Sequence, residues 1–229
     1  MTSDLTPEEF YNDLSPRYDD AILRCVPRYK EMLWAIVRYI PDDLAPKRVL
    51  DIGVGSGNLS QLMLERYPEA EVVGVDISRE MLAVCRKRLP NGRLTLVHRD
   101  FRDLGFEDNS FDLVVSSISI HHIDDSAKQT LFLRFCRLLR PGGVVAYSDQ
   151  FRATTEETYA KHIERWRQES LALGATQDEW RTWMQHQDEH DHHATLSEQM
   201  TWLLDAGFAD IDCPWRFLLW TVLVGRKPS

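Results

Sequence analysis

Three acidic side chains stand at or just beyond the ends of short apolar segments in this sequence. They are Asp51, Asp76 and Asp100. A carboxylate at the end of a buried parallel strand can accept hydrogen bonds from both hydroxyls of a ribose, and we predict this role for Asp76. Acids at three successive strand ends indicate a binding site for a ligand that contains a nucleoside.

A glycine-rich loop follows the first of these acids. The loop contains Gly53, Gly55 and Gly57. Glycine permits a sharp backbone turn close to a ligand, and the helix predicted to start at Asn58 offers unpaired N–H groups. The spacing G-x-G-x-G departs from the dinucleotide fingerprint G-x-G-x-x-G, since Asn58 occupies the place of its third glycine. Asp51 lies two residues ahead of the loop, where a negative charge favours a ligand with an ammonium group over one with a pyrophosphate. A dinucleotide is therefore the less favoured ligand.

Two adjacent histidines follow the apolar segment FDLVVSSIS. They are His121 and His122, and the loop that holds them lies at the predicted switch point of a doubly wound sheet. An imidazole there can act as a base or orient a nucleophile, because histidine titrates near neutral pH. The alternative is structural, with one ring capping a backbone carbonyl and the other packing on the next helix.

Four more histidines lie close together in HQDEHDHHATL. They are His186, His190, His192 and His193. If the helix that begins near Asp178 extends this far, His186 and His190 share one face at a spacing that can hold a divalent metal. No known metal motif is completed, so we expect no metal and keep these four as possible ligands. His192 or His193 can instead contact the substrate or the segment over the cofactor.

Alternating apolar and helical segments predict an α/β fold. The strands are expected at Arg48–Ile52, Glu71–Val75, Arg93–Val97, Phe111–Ser119 and Val144–Phe151, with two more between Ile211 and Gly225. We predict a doubly wound, mainly parallel seven-stranded sheet of order 3-2-1-4-5-7-6, in which one of the last two strands is antiparallel. Those two strands are expected to join at Pro214–Arg216, where no room exists for a crossover helix.

The chain is predicted to form a single domain, residues 1–229, with four parts. Residues 1–46 form an N-terminal helical lid, 47–152 the cofactor-binding core, 153–194 a helical substrate insertion and 195–229 the closing helix and strands. The first part could also simply pack on the sheet. In the insertion, Trp166, Trp180 and Trp183 either wall an apolar pocket or pack between the inserted helices.

Composition limits the possible partners and location. A net charge of −9 and a pI near 5.4 make nucleic acid an unlikely main partner, since phosphate binding needs a basic face. The four scattered cysteines predict reduced thiols, and we expect no signal peptide and no membrane span, because no apolar segment is long enough. We therefore expect a cytoplasmic protein with no membrane contact, and a homodimer is a possible oligomeric state.

The segment KRVLDIGVGSGNLS resembles motif I of the class I S-adenosylmethionine (SAM) dependent methyltransferases, which have a Rossmann-like fold. The resemblance implies that SAM is the cofactor and that Asp51 lies near its methionine amine. It also implies that Asp100 accepts the adenine amino group, that Phe101 closes over the ring, and that the methyl group points toward the loop after strand four.

More narrowly, several segments resemble a group of small methyltransferases that includes the enzyme that carboxymethylates wobble uridine in tRNA. They are RCVPRYKEML, GVDIS, HRDF, SSISIHHI and the tail DAGFADIDCPWRFLLWTVLVGRK. The resemblance implies that Tyr29 and Ile77 contact the cofactor and that Ser117 stands where the tRNA enzyme has an asparagine. The arginine that reads the extra carboxylate is replaced by Gln185, with Arg181 one turn earlier. Ordinary SAM and a small-molecule acceptor are therefore expected.

The resulting hypothesis is methyl transfer from SAM to a nitrogen, oxygen, sulfur or carbon nucleophile of a small molecule, with S-adenosylhomocysteine as product. His122 is the first choice for a base or orienting group, and His121 and His193 are the reserves. Three alternatives remain at this point: a tRNA (carboxy)methyltransferase, a catalytically silent SAM-binding subunit and an NAD(P)-dependent oxidoreductase.

Overall fold

The computed structural model describes residues 6–229, so the first five residues of the predicted lid lie outside the described part. A sheet of seven strands forms its centre. The strands are β1 (Arg48–Ile52), β2 (Glu71–Asp76), β3 (Leu94–His98), β4 (Phe111–Ser117), β5 (Leu139–Gln150), β6 (Ala209–Phe217) and β7 (Trp220–Arg226). Their order is β3-β2-β1-β4-β5-β7-β6, and β7 is antiparallel to β5 and β6. The predicted order and the antiparallel strand are confirmed.

Helices cover both faces of the sheet. They are α1 (Pro7–Leu14), α2 (Tyr18–Cys25), α3 (Tyr29–Tyr39), α4 (Asn58–Arg66), α5 (Arg79–Arg88), α6 (Asp125–Leu138), α7 (Glu156–Ala172), α8 (Gln177–His190) and α9 (Leu196–Asp205). Apolar residues of α3 and α4 pack on one face, whereas those of α6 and α9 pack on the other. Within residues 6–229, no helix is both long and apolar enough to cross a membrane.

The central strands are buried because helices shield both of their faces. In β4, Leu113, Val114 and Val115 are consecutive and all are inaccessible to solvent. Such continuous apolar runs, rather than alternating ones, are typical of parallel strands between two helical layers. This burial fixes the register of the sheet, and with it the position of every polar residue at the strand ends.

The carboxyl ends of four neighbouring strands lie at one edge of the sheet. Ile52 at the end of β1 pairs with Val75 of β2 on one side and with Ser116 of β4 on the other. Ser117 at the end of β4 pairs with Ser148 of β5. The loops that follow these strands therefore converge at the switch point between β1 and β4, which is where doubly wound sheets bind ligands.

The N-terminal helices start and stop at recognisable signals. Thr6 caps α1 in a reciprocal capping box with Glu9, and Pro7 occupies the first helical position. Arg28, in the left-handed region at φ 62°, separates α2 from α3. These breaks allow α1 to lie against α5 while α3 packs on the sheet.

The two inserted helices, α7 and α8, attach to the rest of the chain through tryptophans. The Trp166 ring lies edge-on to Trp180 of α8 and to Trp220 of β7, with centroid distances of 4.8 and 5.5 Å. Trp166 also donates its indole N–H to the carbonyl of Cys25 at 2.5 Å. Trp166 and Trp180 thus pack between elements, while Trp166 and Trp183 also line a second, smaller cavity.

The junction of the last two strands differs from the predicted one. Pro214 lies inside β6, and the chain reverses at Leu218, which has a positive φ of 56°. β6 is an edge strand, and its pairing with β7 shifts register between Asp212 and Trp215. An edge strand tolerates proline at such an irregularity because the missing N–H costs no ladder hydrogen bond, so proline was a misleading turn signal here.

Candidate active site

A cleft of about 480 Å³ opens at the carboxyl ends of the central strands. Its walls come from α1, α2, α3, the loops after β1 to β4 and the end of α8. Among the residues that line it are all three acids predicted from the sequence, Asp51, Asp76 and Asp100, together with Tyr29 and Ser117. One cleft therefore brings together residues that are far apart in the sequence, from Thr6 to His192.

The glycine loop forms part of the cleft lining and has a backbone conformation that residues with a side chain could not adopt without clashes. Gly53 has a φ of +65°, and a Cβ there would lie 2.0 Å from Oγ of Ser119. Gly57 has a φ of +88°, and its Cβ would lie 2.7 Å from Sγ of Cys85. Both positions require glycine for conformation as well as for space. Gly53 and Gly55 of this loop line the cleft.

Asp51 is a buried acid next to this loop. Its carboxylate accepts a hydrogen bond from the Ser60 hydroxyl at 2.6 Å, and its surface is 1% exposed. Burial raises the pKa of Asp51 to about 7, and the Ser60 hydrogen bond offsets this only in part. An ammonium group placed beside Asp51 would supply the missing countercharge. The methionine end of SAM carries such a group, so the acid fits the predicted cofactor.

Asp76 lies at the end of β2 and is fixed by backbone donors. The N–H groups of Gly55 and Ser78 each donate to its carboxylate at 2.8 Å. Burial raises the pKa of Asp76 despite these bonds. A carboxylate has about four lone-pair positions, so the remaining ones can accept two ribose hydroxyls from the cleft. Ile77, the next residue, also lines the cleft.

Asp100 follows β3 and already has a cationic partner. The Arg102 guanidinium donates to it at 2.8 and 2.5 Å. Burial would raise the pKa of Asp100, but the hydrogen bonds from Arg102 outweigh that effect and lower it. An adenine amino group would therefore share this carboxylate with Arg102. Phe101 lies between them in sequence and lines the cleft as well.

Tyr29 and Ser117 complete the set expected to surround the cofactor. Tyr29 is the first residue of α3 and is buried, and burial raises the pKa of its phenol. Ser117 ends β4, with its hydroxyl 3.0 Å from that of Ser148 on β5. Both are among the residues that line the cleft, and their contact with the cofactor stays a prediction.

Of the three histidines predicted to act in catalysis, only His122 lines the cleft. Its Nδ1 lies 3.1 Å from Oδ1 of Asp191, and its Nε2 lies 3.1 Å from the hydroxyl of Tyr11. Burial, together with the neighbouring His121, lowers the pKa of His122. Both ring nitrogens are thus engaged, which holds the imidazole in one orientation.

The two reserve histidines lie behind the cleft wall. His121 is 2% exposed, and its Nδ1 lies 2.5 Å from Oδ1 of Asp149. His193 is hydrogen-bonded through Nδ1 to the Tyr159 hydroxyl at 2.7 Å. Neither residue is among those that line the cleft, so their positions suit support of other groups better than contact with an acceptor.

The four histidines kept as possible metal ligands differ in whether they line the cleft. His190 and His192 line the cleft, whereas His186 and His193 direct Nε2 toward Asp191, at 4.0 and 3.6 Å. His186 and His190 have ring centroids 5.1 Å apart on α8, but of the two only His190 is among the residues that line the cleft.

Two residues of this site were missed in the sequence. Tyr11 stands in a polar N-terminal helix, and its pairing with His122 spans 111 residues. Asp191 belongs to the histidine-rich segment, where it resembles any surface acid, yet its side chain is only 3% exposed. The concentration of histidines around Asp191 was the only signal, and it did not identify the acid as their common partner.

Comparisons with known proteins agree with this geometry. Residues 49–143 match the family model described as a methyltransferase domain. An uncharacterized methyltransferase of Bacillus cytotoxicus is 32% identical over 158 residues, which cover 67% of this chain and 71% of the relative. Trans-aconitate 2-methyltransferase of Acidovorax sp. (strain JS42) is 40% identical over 102 residues, 44% of this chain but only 38% of the relative.

Solved structures share the fold. A putative methyltransferase of Haloferax volcanii, in complex with the Trm112 methyltransferase activator, superposes with a TM-score of 0.72 at 19% identity and covers 96% of this chain and 98% of its own. Phosphoethanolamine N-methyltransferase 2 of Haemonchus contortus, in complex with phosphomonomethylethanolamine and S-adenosylhomocysteine, gives 0.68 at 20% identity, covering 98% of this chain and 61% of its own.

The strand order, the cleft and the similarity to known proteins together identify a methyltransferase with a Rossmann-like fold. The chain belongs to the class I SAM-dependent methyltransferases, and SAM is its cofactor. The earlier expectations of fold, cofactor and enzyme class are confirmed, and the oxidoreductase alternative is set aside.

Proposed function

We propose that this methyltransferase acts on a small molecule that is neutral or cationic. The observation that carries the proposal is the charge of the cleft. Five carboxylates line it: Glu8, Asp51, Asp76, Asp100 and Glu189. Arg102 is the single guanidinium among the described lining residues, and Asp100 neutralises it. Such a surface repels polyanions, whereas it attracts or tolerates amines, phenols and thiols.

The same charge distribution argues against the acceptors named for two of the similar proteins. Trans-aconitate carries three carboxylates, and phosphomonomethylethanolamine carries a phosphate beside its amine. Their recognition calls for arginine or lysine side chains free to pair with carboxylate or phosphate. The lining residues described here do not provide such a group. For the same reason, and because the cleft is of small-molecule size, we place tRNA behind a small acceptor.

The cofactor roles assigned to the acids form part of this proposal. SAM supplies an electrophilic methyl group, and the glycine loop with Asp51, Asp76 and Asp100 would hold it. Methyl transfer is an in-line displacement, so the main contribution of the protein is alignment of the acceptor, worth up to ~7–11 kcal/mol in principle. Tyr11 and His122 present a fixed hydroxyl–imidazole pair to the cleft. We propose that this pair orients the acceptor for attack on the methyl group.

Direct analysis of bound ligand and product tests the proposal. Mass spectrometry of purified protein should detect SAM or S-adenosylhomocysteine, and calorimetry should show binding of both. A panel of amines, phenols, thiols, polycarboxylates, phosphoesters and unmodified tRNA can then be compared by release of S-adenosylhomocysteine. We expect turnover with a neutral or cationic compound. Methyl transfer to tRNA or to a polycarboxylate, without turnover of any uncharged or cationic compound, would refute it.

A further inference from the structure

A buried carboxylate behind the cleft is surrounded by imidazoles from different elements. Asp191 follows α8 directly, and its side chain is 3% exposed. Three ring nitrogens lie around its Oδ1: His122 Nδ1 at 3.1 Å, His121 Nε2 at 3.7 Å and His186 Nε2 at 4.0 Å. We call these four side chains the Asp191 cluster.

The spacing within the Asp191 cluster suits a metal ion. Zinc binds histidine nitrogen and carboxylate oxygen at about 2.0–2.2 Å, which places neighbouring ligand atoms of a tetrahedral site about 3.3 Å apart. The observed separations from Asp191 Oδ1, 3.1 to 4.0 Å, span this value. His121, His122 and Asp191 offer ligand atoms that all lie within 4.8 Å of one another. His186 is not part of that compact group, and its Nε2, 4.0 Å from Asp191 Oδ1, must move inward to complete a tetrahedral shell.

In His121 and His122, the ring nitrogen that faces away from Asp191 has a polar partner of its own. Nδ1 of His121 lies 2.5 Å from a carboxylate oxygen of Asp149, and Nε2 of His122 lies 3.1 Å from the Tyr11 hydroxyl. Histidines that ligate metals almost always have their second nitrogen fixed in this way, by a carboxylate, a carbonyl or another polar group. In both residues the nitrogen left over is the one that faces Asp191.

His186 supplies an independent observation. Its side chain is 9% exposed, and its Nε2 is buried without a hydrogen-bond partner among the described residues. The ring stacks on Phe10 of α1 at a centroid distance of 4.0 Å and an interplanar angle of 19°, which fixes its direction. Buried polar atoms are rarely left unsatisfied, so a nitrogen directed at a carboxylate 4.0 Å away indicates that something belongs between them.

We propose that His121, His122, His186 and Asp191 bind one divalent transition metal ion, with zinc as the first candidate. Three imidazoles and one carboxylate fill a tetrahedral shell, and a shell closed by protein ligands is typical of structural rather than catalytic zinc. The ion would join the turn after β4 to the end of α8. It would thereby fix the cleft wall that contains Tyr11 and His122, without taking part in methyl transfer.

The competing explanation is a cluster held together by protons alone. In that case His121 would be an imidazolium between Asp149 and Asp191, and His186 would stay unpaired. The two explanations differ in metal content and in metal affinity, which can be measured without any methyl acceptor. Failure of the proposed function and failure of the metal site are therefore separate results.

The experiment uses tag-free, full-length protein. Elemental analysis after expression in zinc-supplemented medium should give close to one zinc per chain. Metal-free protein, prepared with a chelator and checked by circular dichroism, should take up one equivalent of zinc in competition with a chromophoric chelator. Cobalt(II) in place of zinc should give the intense visible absorption of a tetrahedral site. Zinc uptake below one tenth of an equivalent by correctly folded wild-type protein would overturn the proposal.

Two variants and a matched control locate the site. His186→Gln and Asp191→Asn should each lower zinc affinity at least 100-fold. His190→Gln changes a histidine one turn further along the same helix, which belongs to the cleft lining and not to the Asp191 cluster, and it should retain one zinc per chain. If His186→Gln keeps its zinc, or if His190→Gln loses it, the ligand assignment is wrong. Cobalt spectra of the wild type decide the question if a variant fails to fold.

Discussion

The two halves of the cleft are built in different ways. The cofactor half consists of loops that follow successive parallel strands, and each polar group lies within a few residues of the strand that positions it. The acceptor half, named for its proposed role, presents Tyr11 and His122 to the cleft, with Asp191 behind them, and their hydrogen bonds span 111 and 69 residues. The first half therefore depends on the register of the sheet, and the second depends on the packing of helices from both ends of the chain.

The halves also differ in whether a buried carboxylate has a partner that stabilises its negative charge. In the cofactor half, Asp51 has no cationic partner among residues 6–229, and burial raises its pKa to about 7. In the acceptor half, burial would raise the pKa of Asp191, but the surrounding imidazoles hold it well below the ordinary value. A charge left uncompensated suits the binding of a charged ligand, while one compensated internally suits a fixed scaffold.

The largest effect is expected from Gly53→Ala in the cofactor half. The new Cβ would meet Oγ of Ser119 at 2.0 Å, and the backbone has a positive φ. Overpacking and left-handed strain together predict a loss of about 2–5 kcal/mol in the free energy of unfolding, with SAM binding lost as well. Urea denaturation and calorimetry measure both. Adding Ser119→Gly should restore part of the stability, and no restoration would mean that the contact is not the cause.

Asp76→Ala tests whether the acid at the end of β2 holds the cofactor. Loss of hydrogen bonds to a charged group predicts SAM binding weaker by about 1.5–3 kcal/mol, or roughly 10- to 150-fold. Asp100→Ala should cost less, because Arg102 already occupies part of that carboxylate. Calorimetry on both variants gives the order. Equal losses would show that Arg102 leaves Asp100 when SAM binds.

The difference between the two halves of the cleft explains which parts of the site could be predicted from the sequence. Strands were recognisable because burial on both faces selects continuous apolar runs, and the ends of those runs located Asp51 and Asp76. The sheet order followed from the handedness and shortness of its connections. Pro214 misled because a proline at an edge-strand irregularity has the same sequence signal as a proline in a turn.

The acceptor half could not be predicted in the same way. Nothing in the local pattern around Tyr11 or Asp191 specifies which distant side chain each one meets, since that depends on how α1 and α8 pack over the strand ends. His121 and His122 are neighbours in sequence, yet one faces Asp149 in the interior and the other the cleft. A cytoplasmic location and a homodimeric state likewise stay predictions.

A pH titration of SAM binding tests whether the uncompensated Asp51 carboxylate binds the ammonium group of SAM. Asp51 has a raised pKa of about 7, so in the SAM-free protein its protonated form stabilises the fold, and this contribution is lost as pH rises through about 7. SAM binding has the opposite sign, because the ammonium prefers the ionised acid. Affinity should rise roughly 15-fold from pH 5.5 to 7, a range in which an α-amino group stays mostly charged. Asp51→Asn should bind more weakly and flatten this rise, and an unchanged profile would assign the dependence to another group.

Tyr11→Phe is the smallest change and tests the acceptor half alone. It removes the hydroxyl that lies 3.1 Å from Nε2 of His122 and leaves the ring in place. One hydrogen bond is worth about 0.5–1.5 kcal/mol, so turnover should fall roughly 2- to 10-fold while the Kd for SAM stays the same. Tyr67→Phe is the control, since its hydroxyl accepts from Arg66 at 3.1 Å outside the cleft lining. A lower turnover with an equally weakened SAM affinity would show that the two halves are coupled, because α1 would then support the cofactor as well as the acceptor.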